Sequence, residues 1–201
     1  MSLRRDFQIV ADLIPKDSRV LDLGCGHGEL LAHLKAEKNI NGYGIEIDPV
    51  GITTCIRAGV NVIEQNLDEG LQNFQSNSFD TVVMTETLQS VRRPDLLLEE
   101  MLRIGKQCII TYPNFGHWRL RSYLVLRGKM PIAPYLPHSW YDTPNIHLCT
   151  FVDFENLCEQ RTFSIKERFV TDNQYRNRFM INRMPNLFGT YAFYLLGKTP
   201  G

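Results

Sequence analysis

Val20-Leu21-Asp22-Leu23-Gly24-Cys25-Gly26-His27-Gly28 sets three glycines at alternate positions directly after an apolar run. Residues 19–23 have the length and aliphatic content of a buried strand, and residues 29–38 have the spacing of a helix. The glycines therefore fall in a strand-to-helix turn. Such a turn needs positive φ angles and close approach of the backbone to whatever it holds, and glycine supplies both without a Cβ clash. The spacing is G-x-G-x-G, not the G-x-G-x-x-G with which dinucleotide-binding turns hold a pyrophosphate. Asp22, beside the turn, repels a phosphate but can accept charge-assisted hydrogen bonds from a cationic amino-acid group.

One crossover later comes Gly42-Tyr43-Gly44-Ile45-Glu46-Ile47-Asp48, a second strand over 42–47. A carboxylate at that strand tip, Glu46, can accept both hydroxyls of a ribose, at about 1.5–3 kcal/mol per charge-assisted bond. It also disfavours a 2′-phosphate. Asp48 reads as the cap of a helix that starts at Pro49. A third strand over 60–65 leads into Asn66-Leu67-Asp68. A fourth over 79–84 leads into Thr85-Glu86-Thr87, at the carboxyl end where open α/β sheets bind ligands. Asp80, at the opposite end of that strand, reads as structural.

Farther out, helices are expected over 7–14, 49–58, 94–104 and 151–161, the last capped by Thr150 with Asp153 three residues on. Further strands are expected over 108–112, 164–171 and 189–196, which brings the total to seven, and 172–186 reads as a polar, irregular stretch. The alternation of strand and helix predicts a parallel sheet covered on both faces.

The composition excludes several classes. The 201 residues are 43% hydrophobic and 22% charged, and their formal net charge is +0, which argues against broad electrostatic binding of nucleic acid or of an anionic membrane. No apolar run approaches a membrane span, and no secretory signal is read at the N-terminus. Cys25, Cys55, Cys108, Cys149 and Cys158 are odd in number and form no C-x-x-C pair, as expected for buried free thiols in a reducing, cytoplasmic setting. Neither they nor His27, His33, His117, His138 and His147 show metal-ligand spacing, so no metal is expected. His117 and His147 are possible general bases, with structural or interface roles favoured.

From 113 to 150 the alternation stops. This stretch holds five prolines, and a helix over 120–127 is its one regular candidate. Between Met101 and Tyr141 there are six basic residues and no acidic one, and both tryptophans lie here. Aromatic residues mixed with arginine suit either a lid over the ligand or a docking surface for another protein.

Val-Leu-Asp-Leu-Gly-Cys-Gly-x-Gly at 20–28 resembles the first motif of class I S-adenosylmethionine-dependent methyltransferases. Tyr112-Pro-Asn-Phe-Gly-His-Trp-Arg, Trp140-Tyr-Asp-Thr-Pro-Asn-Ile-His-Leu-Cys-Thr, Leu67-Asp-Glu-Gly-Leu and Arg92-Arg-Pro-Asp narrow this: nearly the whole chain resembles the methionine biosynthesis protein MetW family. The resemblance implies an α/β, Rossmann-like, doubly wound fold. Its sheet would be seven-stranded and mostly parallel, with helices on both faces and a C-terminal antiparallel strand. It implies one such domain over 1–201, interrupted by the insertion at 113–150. It implies S-adenosylmethionine, or S-adenosylhomocysteine, as the ligand, with Gly24 and Gly26 along its methionine part and Asp22 as an acidic anchor. The family usually places an Asp against the adenine amino group; Asn66 stands there, and its amide oxygen can accept that bond without the charge. The expected contact set is Asp22, Gly24, Cys25, Gly26, Glu46, Ile47, Asn66, Leu67 and Thr85.

The resemblance also implies a bacterial cytoplasmic protein that acts with a homoserine O-acyltransferase. No G-x-S-x-G nucleophile turn is present, so serine-dependent acyl transfer by this chain itself is not expected. Two readings remain open. Methyl transfer to a small molecule needs chiefly an aligned acceptor, so the lack of an obvious catalytic residue does not exclude it. A partner subunit that senses the ligand and regulates the acyltransferase fits equally. Nucleic-acid methylation is suggested by the basic stretch alone; Tyr112-Pro113-Asn114-Phe115 is not the Asn/Asp-Pro-Pro-Tyr type of motif that amino-methylating enzymes carry.

Overall fold

The computed structural model describes residues 3–177 and 179–198, so the ends of the expected 1–201 domain lie outside the described residues. The elements run α1 (Arg5–Asp12), β1 (Arg19–Leu23), α2 (Glu29–Lys38), β2 (Asn41–Glu46), α3 (Pro49–Arg57), β3 (Asn61–Glu64), β4 (Phe79–Thr85), α4 (Pro94–Ile104) and β5 (Gly105–Pro113). They continue with α5 (Trp118–Arg127), α6 (Phe151–Gln160), β6 (Ser164–Thr171), α7 (Phe179–Arg183), α8 (Pro185–Phe188) and β7 (Tyr191–Gly197). One seven-stranded sheet takes the order β3-β2-β1-β4-β5-β7-β6. β1 to β5 pair in parallel, whereas β7 is antiparallel to both β5 and β6. The chain winds outward from β1 in one direction and from β4 in the other. The crevice between their carboxyl ends is the switch point at which such sheets hold ligands.

Alternation of side chains across the pleat supplies two cores. Leu21, Leu23, Val82, Met84, Cys108 and Ile110 face one side and pack with Leu98 and Met101 of α4 and Phe151 and Phe154 of α6. Val20, Val83, Ile109 and Phe193 face the other and pack with Val10 and Ile14 of α1 and Leu30 and Leu34 of α2. Sheet strands buried on both faces read as continuous apolar runs, which is how β1, β4 and β5 appear in the sequence.

Several element ends differ from the sequence expectation. β5 starts at Gly105 rather than 108, because α4 passes into it without a loop and Gly105 pairs with Phe79. α5 starts at Trp118 rather than 120, since the His117 side chain caps it by accepting the Arg119 N–H. Two short helices, α7 and α8, occupy part of the stretch read as irregular. Pro185 opens α8, where its missing N–H has no helical partner to lose, so β7 begins at Tyr191 rather than 189. The capping box of Thr150 and Asp153 forms as expected. Among the described residues no helix is long and apolar enough to cross a membrane.

An aromatic cluster seats α6 on the sheet: Phe154 lies 4.6 Å from the Tyr194 ring and 5.2 Å from the Tyr112 ring. Removal of a buried phenyl group costs about 3–5 kcal/mol. Phe154→Ala is therefore expected to lower unfolding free energy by that order in urea denaturation; a change below about 1 kcal/mol would show that α6 does not anchor the sheet edge.

Candidate functional site

The glycine turn is built by backbone bonds that leave its inner surface open. The N–H groups of Gly24 and Cys25 both donate to the Ile45 carbonyl, at 2.9 and 3.1 Å, which binds the turn to β2. Gly24 has φ +73°, and a Cβ there would lie 2.6 Å from Thr87 Oγ1. Gly26 has φ +53°, and a Cβ there would meet nothing within 4 Å. The first glycine thus makes room for β4's exit loop, whereas the second keeps a space that no protein atom fills.

Glu46 locks this arrangement. Its Oε2 accepts the Gly26 N–H at 2.7 Å, and its Oε1 accepts the N–H groups of Ile47 and Asp48 at 2.8 and 2.9 Å. One carboxylate therefore joins the turn after β1 to the turn after β2. Asp48, as expected, caps α3 by accepting from Val50 and Gly51. Oε1 has thereby filled both its lone pairs, so one acceptor site remains, on Oε2, room for one ribose hydroxyl rather than the expected two.

Asp22 is buried, and its Oδ1 has no hydrogen-bond partner. Burial, and next the nearby Glu46 charge, push its carboxyl up to about 7. A buried polar atom left unsatisfied costs about 1–3 kcal/mol, and more when it is charged. Among the described residues, Asp22 is the one carboxylate with such an atom, which makes it a candidate for a ligand contact.

Above the turn lies a cavity of about 250 Å³ lined by Arg4, Phe7, Gly24, Cys25, Gly26, His27, Glu29, Thr85 and Glu86. It gathers Gly24, Cys25, Gly26 and Thr85 of the expected set, and Glu46 joins them through its bond to Gly26. Cys25 also meets Cys55, sulfur to sulfur at 3.8 Å. Asp22, Glu46, Ile47, Asn66 and Leu67 lie outside the cavity lining. Ile47 is 59% exposed beside Glu46, an apolar side chain with no cover. Leu67 packs in part against the core, and Asn66 Oδ1 accepts the Asp68 N–H at 3.0 Å, so only its second lone pair remains for a ligand.

Two larger recesses, of about 530 and 520 Å³, lie toward the C-terminal loops and the insertion. Size does not identify the site here: the smaller cavity takes its wall from the glycine turn after β1 and from the exit of β4, at the sheet's switch point.

Arg4, Phe7 and Glu86 line the cavity but were not in the expected set. Arg4 is carried by the start of α1, and its ion pair with Asp6 at 2.5 Å leaves no sequence signature. Glu86 did have a signal, its place one residue past β4. It adopts φ +52°, a left-handed conformation costing about 1–2 kcal/mol in a non-glycine residue. Its N–H donates to the Thr111 carbonyl at 3.0 Å. Burial raises its pKa, Arg4 opposes that shift and Asp6 adds to it. Asp80 is structural as read, accepting from the Arg19 N–H and from Lys106 Nζ. His147 Nε2 lies 3.2 Å from the Arg92 carbonyl, outside the cavity lining.

Comparison with known proteins places this geometry. The family model for methionine biosynthesis protein MetW matches residues 4–196. The bifunctional methionine biosynthesis protein MetXA/MetW of Rhodopirellula baltica is 34% identical over 196 residues, which cover 93% of this chain and 32% of that protein. The chain thus spans about a third of the length of this curated relative. An S-adenosylmethionine-dependent methyltransferase from Mesorhizobium loti superposes with a TM-score of 0.70 at 16% identity, covering 97% of this chain and 98% of that one. One from Thermotoga maritima gives 0.66 at 19% identity, covering 97% and 88%. The [4+2]-cyclase SpnF gives 0.69 at 16% identity, covering 98% and 82%. At these identities the likeness establishes the Rossmann-like fold.

The Asp22 carboxyl predicts a pH dependence. Unfolded, it ionises near 3.8; folded, it keeps its proton up to about 7. The folded state therefore binds the extra proton between these values, and stability falls as pH rises through that interval, then levels. Asp22→Asn, which cannot ionise, is expected to gain melting temperature over the unsubstituted protein at about pH 8 but not at about pH 4. The same difference at both pH values would show that Asp22 titrates alike in folded and unfolded chains.

Proposed function

Since the chain belongs to the methionine biosynthesis protein MetW family, we propose that it binds S-adenosylmethionine, or S-adenosylhomocysteine, at the glycine turn and acts in methionine biosynthesis with a homoserine O-acyltransferase. The observation that carries the ligand is the buried, unpartnered oxygen of Asp22 beneath a turn whose Gly26 leaves open space. A cationic amino group satisfies that acid where a phosphate would repel it. The donor set fits the rest of the molecule. Arg4 offers the opposite charge to a carboxylate in the same cavity. Glu46 accepts from one ribose hydroxyl through Oε2, and the apolar Ile47 and Leu67, with Asn66, receive the adenine.

The bound ligand supplies a sulfonium methyl, an electrophile that needs no metal. The chain's own residues orient it: Asp22 and Arg4 fix the two ends of the amino-acid arm, and Glu46 holds the turn closed around it. A second reading, turnover on a small-molecule acceptor, is favoured by Glu86. This carboxylate lines the same cavity with a raised pKa, suited to take a proton from an acceptor.

The partner reading rests on two observations. The Rhodopirellula baltica relative carries MetXA and MetW in one polypeptide. In addition, α5 buries only Leu120 and turns Val125 and Leu126 to solvent at 82% and 80% exposure, among Arg119, Arg121 and Arg127. An exposed apolar face of this kind, rimmed by arginine, has the composition of an interface. The acyltransferase docks on α5, and the ligand state reports the pathway's end product to it. The chain works as one domain with 113–150 as its docking insertion, in the cytoplasm.

Isothermal titration with S-adenosylmethionine is expected to show one site, and Glu46→Ala to weaken it at least about tenfold, or about 1.4 kcal/mol. Absence of binding by either adenosyl ligand would overturn the reading. Leu126→Asp is expected to abolish co-purification with the acyltransferase while adenosyl-ligand affinity stays unchanged. Undiminished co-purification would remove α5 from the interface.

A further inference from the structure

The recess of about 520 Å³ under the insertion has a built interior that the cofactor reading does not use. Its walls are largely apolar, from Trp118 and Tyr123 of α5, Ile132, and Phe188 of α8. Its charged groups are two arginines and one aspartate, Arg119, Arg176 and Asp172. Arg119 lines it and makes no ion pair among the described residues; the nearest ring, Trp118, lies 5.5 Å from its guanidinium carbon. Arg176 lines it too, held by Nε to Asp172 Oδ2 at 3.3 Å while its backbone N–H donates to Asp172 Oδ1 at 2.9 Å. Among the described lining residues, two guanidiniums against one carboxylate leave one positive charge uncompensated at a largely apolar cavity.

His117 adds a neutral donor. Its Nδ1 accepts the Arg119 N–H at 3.2 Å, which places the ring proton on Nε2. Burial, and then the Arg119 charge, lower its pKa, so the ring adds no charge to the recess at neutral pH.

Shared side chains link the recess to the glycine-turn cavity. Arg176 lines both it and a middle recess, and Arg4 lines both that recess and the glycine-turn cavity. Tyr175 stacks on Tyr191 at 4.7 Å and Tyr135 meets Tyr191 edge-on at 6.1 Å, so a row of rings follows the same path.

We propose that the insertion recess is a second small-molecule site, for an organic acid with one carboxylate and a short apolar body, read by Arg119 and Arg176. The volume lies within the about 300–1,000 Å³ usual for such sites. A guanidinium pairs with a carboxylate through two parallel hydrogen bonds. The single uncompensated charge matches a carboxylate better than a phosphate, which carries about −1.5 to −2 at neutral pH.

Hexanoate is a suitable probe, used with the full chain and followed by ligand-observed NMR. A Trp140→Phe background leaves Trp118, in the recess wall, as the sole tryptophan reporter of location. Saturable hexanoate binding that changes Trp118 fluorescence is expected, with hexanamide at least tenfold weaker and hexyl phosphate no tighter. Arg119→Gln and Arg176→Gln are each expected to weaken hexanoate at least tenfold; Arg119 is exposed, so its loss leaves the fold intact. Equal binding of hexanoate and hexanamide, tighter binding of hexyl phosphate, or unchanged hexanoate affinity in both variants would overturn the site. S-adenosylmethionine affinity, measured on the same variants, is expected to stay constant. Failure of the adenosyl ligand to bind would sink the cofactor reading and leave this site standing.

Discussion

A carboxyl group buried with an unpartnered oxygen is the constraint around which the rest of this protein is arranged. Asp22 stands in the middle of the sheet, paired through its backbone with Gly44 on one side and Val83 on the other. Its side chain cannot reach water, and Glu46 adds a repulsive charge nearby. A fold tolerates such a group only if other elements over-determine it. Two apolar cores on opposite faces of the sheet do that here, and the cost is concentrated where a ligand can relieve it.

Glu46 explains why the turn stays shaped without a ligand. Its two oxygens collect three N–H groups from two separate strand-to-helix turns, so the loops after β1 and β2 are tied to each other. Hydrogen bonds to an ionised acceptor are worth about twice neutral ones. Gly51 completes the joint: a Cβ there would lie 2.8 Å from the Gly26 carbonyl, so α3 can press its first turn against the glycine loop. Under the proposed function, preorganisation of this kind lowers the ordering entropy that binding must overcome.

The half of the site on the N-terminal strands was legible in sequence because its signals are local. Gly24, Gly26 and Asp22 lie within five residues, and Glu46 follows by one regular crossover. The order β1–β2–β3 with helices between is likewise written in alternating apolar runs. What was not legible depends on contacts distant in sequence. Arg4 and Phe7 reach the cavity because α1 packs on the face shared with α2, and nothing in residues 3–8 announces that. The short helices α7 and α8 escaped notice because their pattern spans too few residues for a helical period to emerge. The recess under the insertion is assembled from α5, a proline-rich loop, the loop after β6, α7 and α8, segments spread over some seventy residues.

The fold leaves the chemistry undecided. SpnF, a cyclase by name, and methyltransferases from two organisms superpose on this chain with nearly the same score, so a shared fold does not select a reaction. In this chain a surface built from 114–150 follows the carboxyl end of β5. Here that surface is divided. Cationic and aromatic groups line its inner recess, while α5 presents aliphatic side chains outward. Trp118, Arg119 and Tyr123 belong to both, since they line the recess from the same helix that carries Val125 and Leu126. α5 buries one residue and is held by its cap and by Arg121, which donates to the Gly116 and Asn186 carbonyls. Under the proposed function, a partner on its outer face and a ligand in the recess behind it would order the same ten residues, so each binding event would favour the other.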